Sequence, residues 1–117
     1  MEVRNQNAKK VERLHKKRNV VAPQVGNSLI HEVAKFIAAY NYKKEGCEFY
    51  DEAKFTDKSG FADLYVLDMD WAVEVLHSES DKRFERKKYP VAETKKLDAV
   101  EYVKEHLKEF IEELREK

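Results

Sequence analysis

Gly60-Phe61-Ala62-Asp63-Leu64-Tyr65-Val66-Leu67-Asp68-Met69-Asp70-Trp71-Ala72-Val73-Glu74-Val75-Leu76-His77 reads as two apolar strands joined by a tight acidic turn, with one lone carboxylate inside each strand. With Asp68 and Met69 as a two-residue hairpin loop, Asp63 falls directly opposite Glu74 on one face of the sheet. Their Cβ atoms would then lie roughly 4.5–5.5 Å apart, where two like charges destabilise each other. A divalent cation turns that repulsion into a site, because Mg²⁺ or Mn²⁺ takes one or two carboxylates together with substrate phosphate. The pair is therefore expected to hold a metal.

Working outward, one hairpin face carries Ala62, Leu64, Val66, Trp71, Val73 and Val75. The other carries Asp63, Tyr65, Leu67, Ala72, Glu74 and Leu76. Neither is polar, so helices must cover both. Upstream, Asn27-Ser28 can cap a helix running to about Tyr42, with Leu29, Ile30, Val33, Phe36, Ile37 and Tyr40 at helical spacing and Gly46 to end it. Cys47 to Phe55 reads as a strand, followed by the turn cluster Thr56 to Gly60. Downstream, a basic helix is expected from Asp81 to Tyr89, ending before Pro90, then a short extended segment to Lys96. Asp98 caps a last amphipathic helix whose stripe is Val100, Val103, Leu107, Phe110, Ile111 and Leu114. That stripe has two possible uses, in its own domain or in a homodimer interface. The fold class is α/β (α+β), a mixed sheet flanked by helices.

The chain of 117 residues has room for one domain. No apolar run approaches the roughly 20 residues of a membrane span. A single cysteine, Cys47, excludes an internal disulfide, so a cytoplasmic setting is expected. Formal net charge is zero, but its distribution is uneven. Residues 1–22 carry seven Lys/Arg against two Glu, and 78–96 seven against four acids, whereas 43–77 carry nine acids against four Lys. Basic flanks around an acidic centre suit a chain that grips phosphates around a cation. Residues 1–22 read as a basic arm and 23–117 as the single domain.

The order α, β, β, β, α, β, with Asp63 on the second strand and Glu74 on the third, resembles the PD-(D/E)xK or restriction-endonuclease-like superfamily. His31, Lys35, Gly46 and Glu52 stand in the order that many members show. Glu74-Val75-Leu76-His77-Ser78, with Arg86 and Tyr89 behind it, is similar to competence-associated nuclease-like proteins. The resemblance spans about residues 27–97. It implies a restriction-endonuclease-like core in αβββαβ order and a Mg²⁺-dependent endo- or exodeoxyribonuclease. One departure stands out: the family lysine two residues after the glutamate is Leu76 here. A lysine there points to the same face as Glu74, and leucine supplies no charge. Lys87 or Arg86 on the following helix is the expected replacement.

On this reading Asp63, Glu74, Val75 and Glu52 hold the metal. Glu32, His31, His77 and Ser78 are accessory candidates, each with a plainer alternative: surface acid, helix-end histidine, packing histidine and helix cap. Lys9, Lys10, Lys16, Lys17, Arg18, Lys82 and Arg83 would contact phosphates, which position DNA without reading its sequence. The other readings are a catalytically inactive DNA-binding or assembly module on the same scaffold, and a protein–protein interaction domain.

Overall fold

In a computed structural model that describes residues 2–12, 17–77 and 88–116, the apolar runs and their separators form seven elements. These are α1 (Glu2–Ala8), α2 (Leu29–Lys44), β1 (Phe49–Lys54), β2 (Phe61–Val66), β3 (Trp71–Leu76), β4 (Glu93–Asp98) and α3 (Ala99–Glu116). One sheet runs β1-β2-β3-β4, antiparallel across the first two pairs and parallel between β3 and β4. The mixed sheet with flanking helices agrees with the expected class. The basic helix expected over Asp81 to Tyr89 lies outside the described residues, apart from Lys88 and Tyr89.

Local chemistry explains most boundaries. Ser28, in extended conformation, caps α2 by accepting from the His31 N–H. Gly46 adopts φ +91°, a left-handed position that releases the chain into β1 while Cys47 N–H bonds the Tyr42 carbonyl. Asp98 caps α3 by accepting from Glu101 N–H.

The β2–β3 register matches the sequence reading, with Leu64↔Val73, Tyr65↔Ala72 and Val66↔Trp71. The connection is longer, however: Leu67–Asp70 form a four-residue turn with Asp70 at φ +56°. The turn's acids act as anchors. Asp68 takes Arg4 Nε at 2.6 Å and the Glu48 N–H at 2.6 Å, while Asp70 takes Lys10 Nζ at 2.9 Å and the Tyr65 hydroxyl.

The N-terminal basic segment includes a short helix, α1, and is tied to the sheet. Ala8 and Val11 are buried in a cluster with Tyr50, Ala53, Phe55, Ala62, Tyr65, Leu67 and Ala72. Val11 forms a bridge with Phe55, and Glu12 N–H bonds the Lys54 carbonyl, covering the β1 edge. On the opposite face, α2 and α3 cover Leu64, Val66, Val73 and Val75 through Ala34, Ala38, Ala39, Ala99 and Val103.

Strict strand alternation fails at one place. Tyr50 and Ala53, three residues apart, face the α1 side together, as do Ala62 and Tyr65 on the partner strand. The reason is Glu52, which takes φ +47° between the pairs Asp51↔Leu64 and Ala53↔Ala62. A non-glycine residue in the left-handed region twists β1 there and carries β2 with it.

Candidate functional site

The twist decides which acids meet. Glu52 and Asp63 stand opposite each other across β1 and β2 and both reach toward α2: Glu52 Oε2 lies 3.5 Å from Lys35 Nζ, and Asp63 Oδ2 lies 3.4 Å from His31 Nε2. Asp63 Oδ2 also accepts the Val75 N–H at 2.7 Å, stitching β2 to β3 beyond their last paired residues.

Glu74, almost wholly buried, goes the other way. Its neighbours Val73 and Val75 pack on the α2/α3 face, and its Oε1 lies 2.5 Å from the Tyr89 hydroxyl, whose ring stacks on Phe55 on the α1 face. Asp63 and Glu74 thus lie one step past the last β2–β3 pair, and their carboxylates meet different partners, His31 for Asp63 and Tyr89 for Glu74. Glu74 is paired across the parallel ladder with Lys96 of β4.

Around α2 the charges form one connected cluster. Lys35 is fully buried, with Nζ 2.8 Å from Asp51 Oδ1, 3.1 Å from Glu32 Oε1 and 3.5 Å from Glu52 Oε2. Burial alone would lower the Lys35 pKa, but Asp51, Glu32 and Glu52 outweigh it and the pKa is raised. Asp51 is further fixed by the Ala22 N–H at 2.9 Å.

His31 bridges two acids, with Nδ1 2.8 Å from Glu32 Oε2 and Nε2 facing Asp63. The Asp63 carboxylate, with help from Glu32, overcomes desolvation and lifts the His31 pKa to about 9. It is therefore an imidazolium at neutral pH. Burial opposes ionisation of Glu32. The Gln24 N–H, His31, Lys35 and Asn27 together still hold its carboxyl down at about 2.

Glu52 differs. Burial raises its pKa, and Asp63 and Asp51 add to the rise against the pull of Lys35. Four acids (Glu32, Asp51, Glu52, Asp63) surround two cations (Lys35, His31), so the fully ionised cluster carries two surplus negative charges.

The other candidates are dispersed. His77 Nδ1 sits 2.7 Å from Ser28 Oγ, beside the start of α2. Lys10 is tied to Asp70, and Arg18 to Glu48 at 3.1 Å and Asn5 at 3.2 Å. Lys9 and Lys17 are exposed. Lys16, Ser78, Lys82, Arg83, Arg86 and Lys87 lie outside the described residues. Lys35 had a signal in the sequence, its place after His31 in the motif order, but its role as the buried hub was not read. Lys96 had none, because its relation to Glu74 depends on the β3–β4 register.

Among the described residues no group of three or more His, Cys, Asp or Glu is placed to hold a metal ion, and no helix is long and apolar enough to cross a membrane. What the site offers is a pair of facing carboxylates, Glu52 and Asp63, within a net-negative cluster. A pair suits Mg²⁺ or Mn²⁺, which keep several waters and bind through one or two carboxylates plus a phosphate oxygen. No family model, no curated protein and no solved structure matches the chain.

Proposed function

We propose that the chain is a metal-dependent nuclease acting on DNA, with Glu52 and Asp63 as its Mg²⁺- or Mn²⁺-binding carboxylates. The observation that carries this is Glu52, a non-glycine residue in a left-handed conformation whose ionisation is disfavoured by burial and by the facing Asp63. Strain and like-charge juxtaposition of this kind persist where the surroundings over-determine them, and they concentrate at functional sites.

A bound divalent cation supplies an acidified water and stabilises charge growing on the phosphate. The chain's own residues set the frame. Lys35 and Asp51 fix the α2–β1 spacing, the Val75 N–H orients Asp63, and the His31 imidazolium, held between Glu32 and Asp63, offsets part of their charge. Two surplus negative charges match one divalent ion.

A second reading, an inactive DNA-binding module on the same scaffold, draws on Leu76 and on Glu74 turning away from Asp63. One experiment separates them. Mn²⁺ binding is measured by titration, and cleavage of single-stranded, duplex and branched DNA is followed for wild type, Glu52→Gln, Asp63→Asn and Glu74→Gln. The nuclease reading expects binding and cleavage lost in the first two variants, and metal affinity kept within a few-fold in Glu74→Gln. Metal binding that needs Glu52 and Asp63, without cleavage of any DNA form, selects the inactive module. Cleavage surviving Asp63→Asn overturns the site.

A further inference from the structure

Both helices on the α2/α3 face turn apolar residues away from the core. On α2 the buried side is His31, Ala34, Lys35, Ala38 and Ala39, whereas Phe36 and Tyr40 point outward. On α3 only Ala99 and Val103 are buried, and every residue from Leu107 to Glu116 is exposed. The second half of α3 therefore stays solvent-facing beside α2 while carrying Leu107, Phe110, Ile111 and Leu114. Spacings of four, three and four residues from Val103 through Leu107 and Phe110 to Leu114 make the narrow seam of a packed helix pair.

Between the two helices runs an open groove of about 450 Å³ whose walls include Phe36, Tyr40, Lys44, Leu107, Phe110 and Glu113. We propose that this face is a homodimer interface, in which the exposed half of α3 from each copy lies along α2 of the other.

Area supports a second copy as the occupant. Phe36, Tyr40, Leu107, Phe110, Ile111 and Leu114 are each 47–59% exposed. Taking about 200 Å² as the full area of one such residue, they present roughly 650 Å². That exceeds the roughly 300–600 Å² of the largest patch on a typical monomer. Two copies together would bury about 1,300 Å², within the range of stable interfaces.

Charge supports the pairing. From Leu107 to Glu116, α3 carries Glu109, Glu112, Glu113 and Glu116 against Lys108 and Arg115, while α2 ends in Lys43 and Lys44. Neither lysine forms an ion pair with these acids within its own chain among the described residues. A two-fold arrangement sets the acidic end of each α3 beside the basic end of the partner's α2 and closes without further growth.

The test is sedimentation equilibrium of the full chain across concentrations, with far-UV circular dichroism as a check on folding. Wild type should dimerise on the order of 10 µM or tighter. Phe110→Glu and Leu114→Glu, at solvent-facing positions, should keep their helical signal and weaken association roughly 30-fold each, as central anchors do. Lys43→Glu/Lys44→Glu should weaken it in low salt, and adding Glu109→Lys/Glu113→Lys to the same chain should restore it. A chain that stays monomeric at about 100 µM overturns the proposal, including the case where a different polypeptide fills the groove. So does a dimer that both glutamate variants leave intact.

Discussion

Replacing Lys35 by Met should expose how much of the domain depends on one buried ammonium. The change keeps most of the side-chain volume and removes the charge from a fully buried position that touches Asp51, Glu32 and Glu52. Asp51 and Glu52 then lose the Lys35 ammonium, while Glu32 keeps only His31. Breaking a buried pair from one side costs about 3–5 kcal/mol. A chain of this length has a total stability of about 6–18 kcal/mol at the usual 0.05–0.15 kcal/mol per residue. At about 4 °C per kcal/mol, the melting temperature should fall by roughly 12–20 °C near neutral pH.

The pH dependence separates this cause from simple cavity formation. In wild type the raised Lys35 pKa contributes stability that is fully present below the unfolded value of 10.5 and disappears only above it. In Lys35→Met the Glu52 carboxylate, already disfavoured by burial, Asp63 and Asp51, loses the cation that pulls the other way, so its folded pKa rises further above the unfolded one. The penalty is then present at neutral pH and relieved as pH falls through that folded value. Thermal melts at pH 5 and pH 8 should show a smaller deficit at the lower pH. A deficit under about 4 °C, or one equal at both pH values, refutes the assignment of Lys35 as the charge that holds this cluster.

Glu52→Gln should raise the melting temperature near neutral pH, because burial, Asp63 and Asp51 disfavour the carboxylate that it replaces. If Glu52 also binds metal, the same variant loses Mn²⁺, a gain in stability paired with loss of function. His31, raised to about 9 from 6.5, contributes stability that is complete below pH 6.5 and lost as pH rises through 9. By linkage this amounts to up to about 3 kcal/mol. His31→Gln should flatten chemical-denaturation stability between those limits, and an unchanged slope refutes the ion pair. Removing residues 1–10 should destabilise the domain by roughly 3 kcal/mol, because Ala8 leaves the core with the anchors of Arg4 and Lys10. A truncated chain that melts like wild type would restore the free basic arm.

Much of the architecture was legible because it depends on local signals. The capping serine, the left-handed glycine, the hairpin register and the capping aspartate each act over a few residues, and each stands where the sequence indicates. The α2 periodicity identified a helix, and Ile30, Val33 and Ile37 do pack against the core, but Leu29, Phe36 and Tyr40 stay exposed while the alanines and Lys35 go deepest. The sheet selects the alanines and Lys35, because small residues let the helix approach and a buried lysine answers Asp51. No pattern rule reports that choice, since it is made by a carboxylate sixteen residues along the chain. Partners of the basic arm are hidden for a similar reason: Lys10 and Arg18 lie beside Asp70 and Glu48, about 60 and 30 residues further along the chain.

The candidate site shows how one backbone angle can redirect chemistry. Alternation along β2 and β3 would pair Asp63 with Glu74, but the paired residues end at Leu64↔Val73, one step short of them. Glu52 at φ +47° breaks that alternation on β1, and the β2 segment paired to it follows. Asp63 is rotated toward α2, while Glu74, in a β3 aligned without interruption to β4, keeps its original direction. A substitution at position 52 therefore tests geometry as well as charge. Glycine accepts a positive φ without the cost borne by glutamate, so Glu52→Gly should preserve the twist and the Asp63–Val75 hydrogen bond while deleting the carboxylate. Proline, locked near φ −65°, should destroy both. If Glu52→Gly keeps protected amides in β1 and β2 but loses Mn²⁺, the carboxylate is the ligand and the twist its support. If it binds Mn²⁺ as well as wild type does, Glu52 is only the hinge, and the metal assignment moves away from β1.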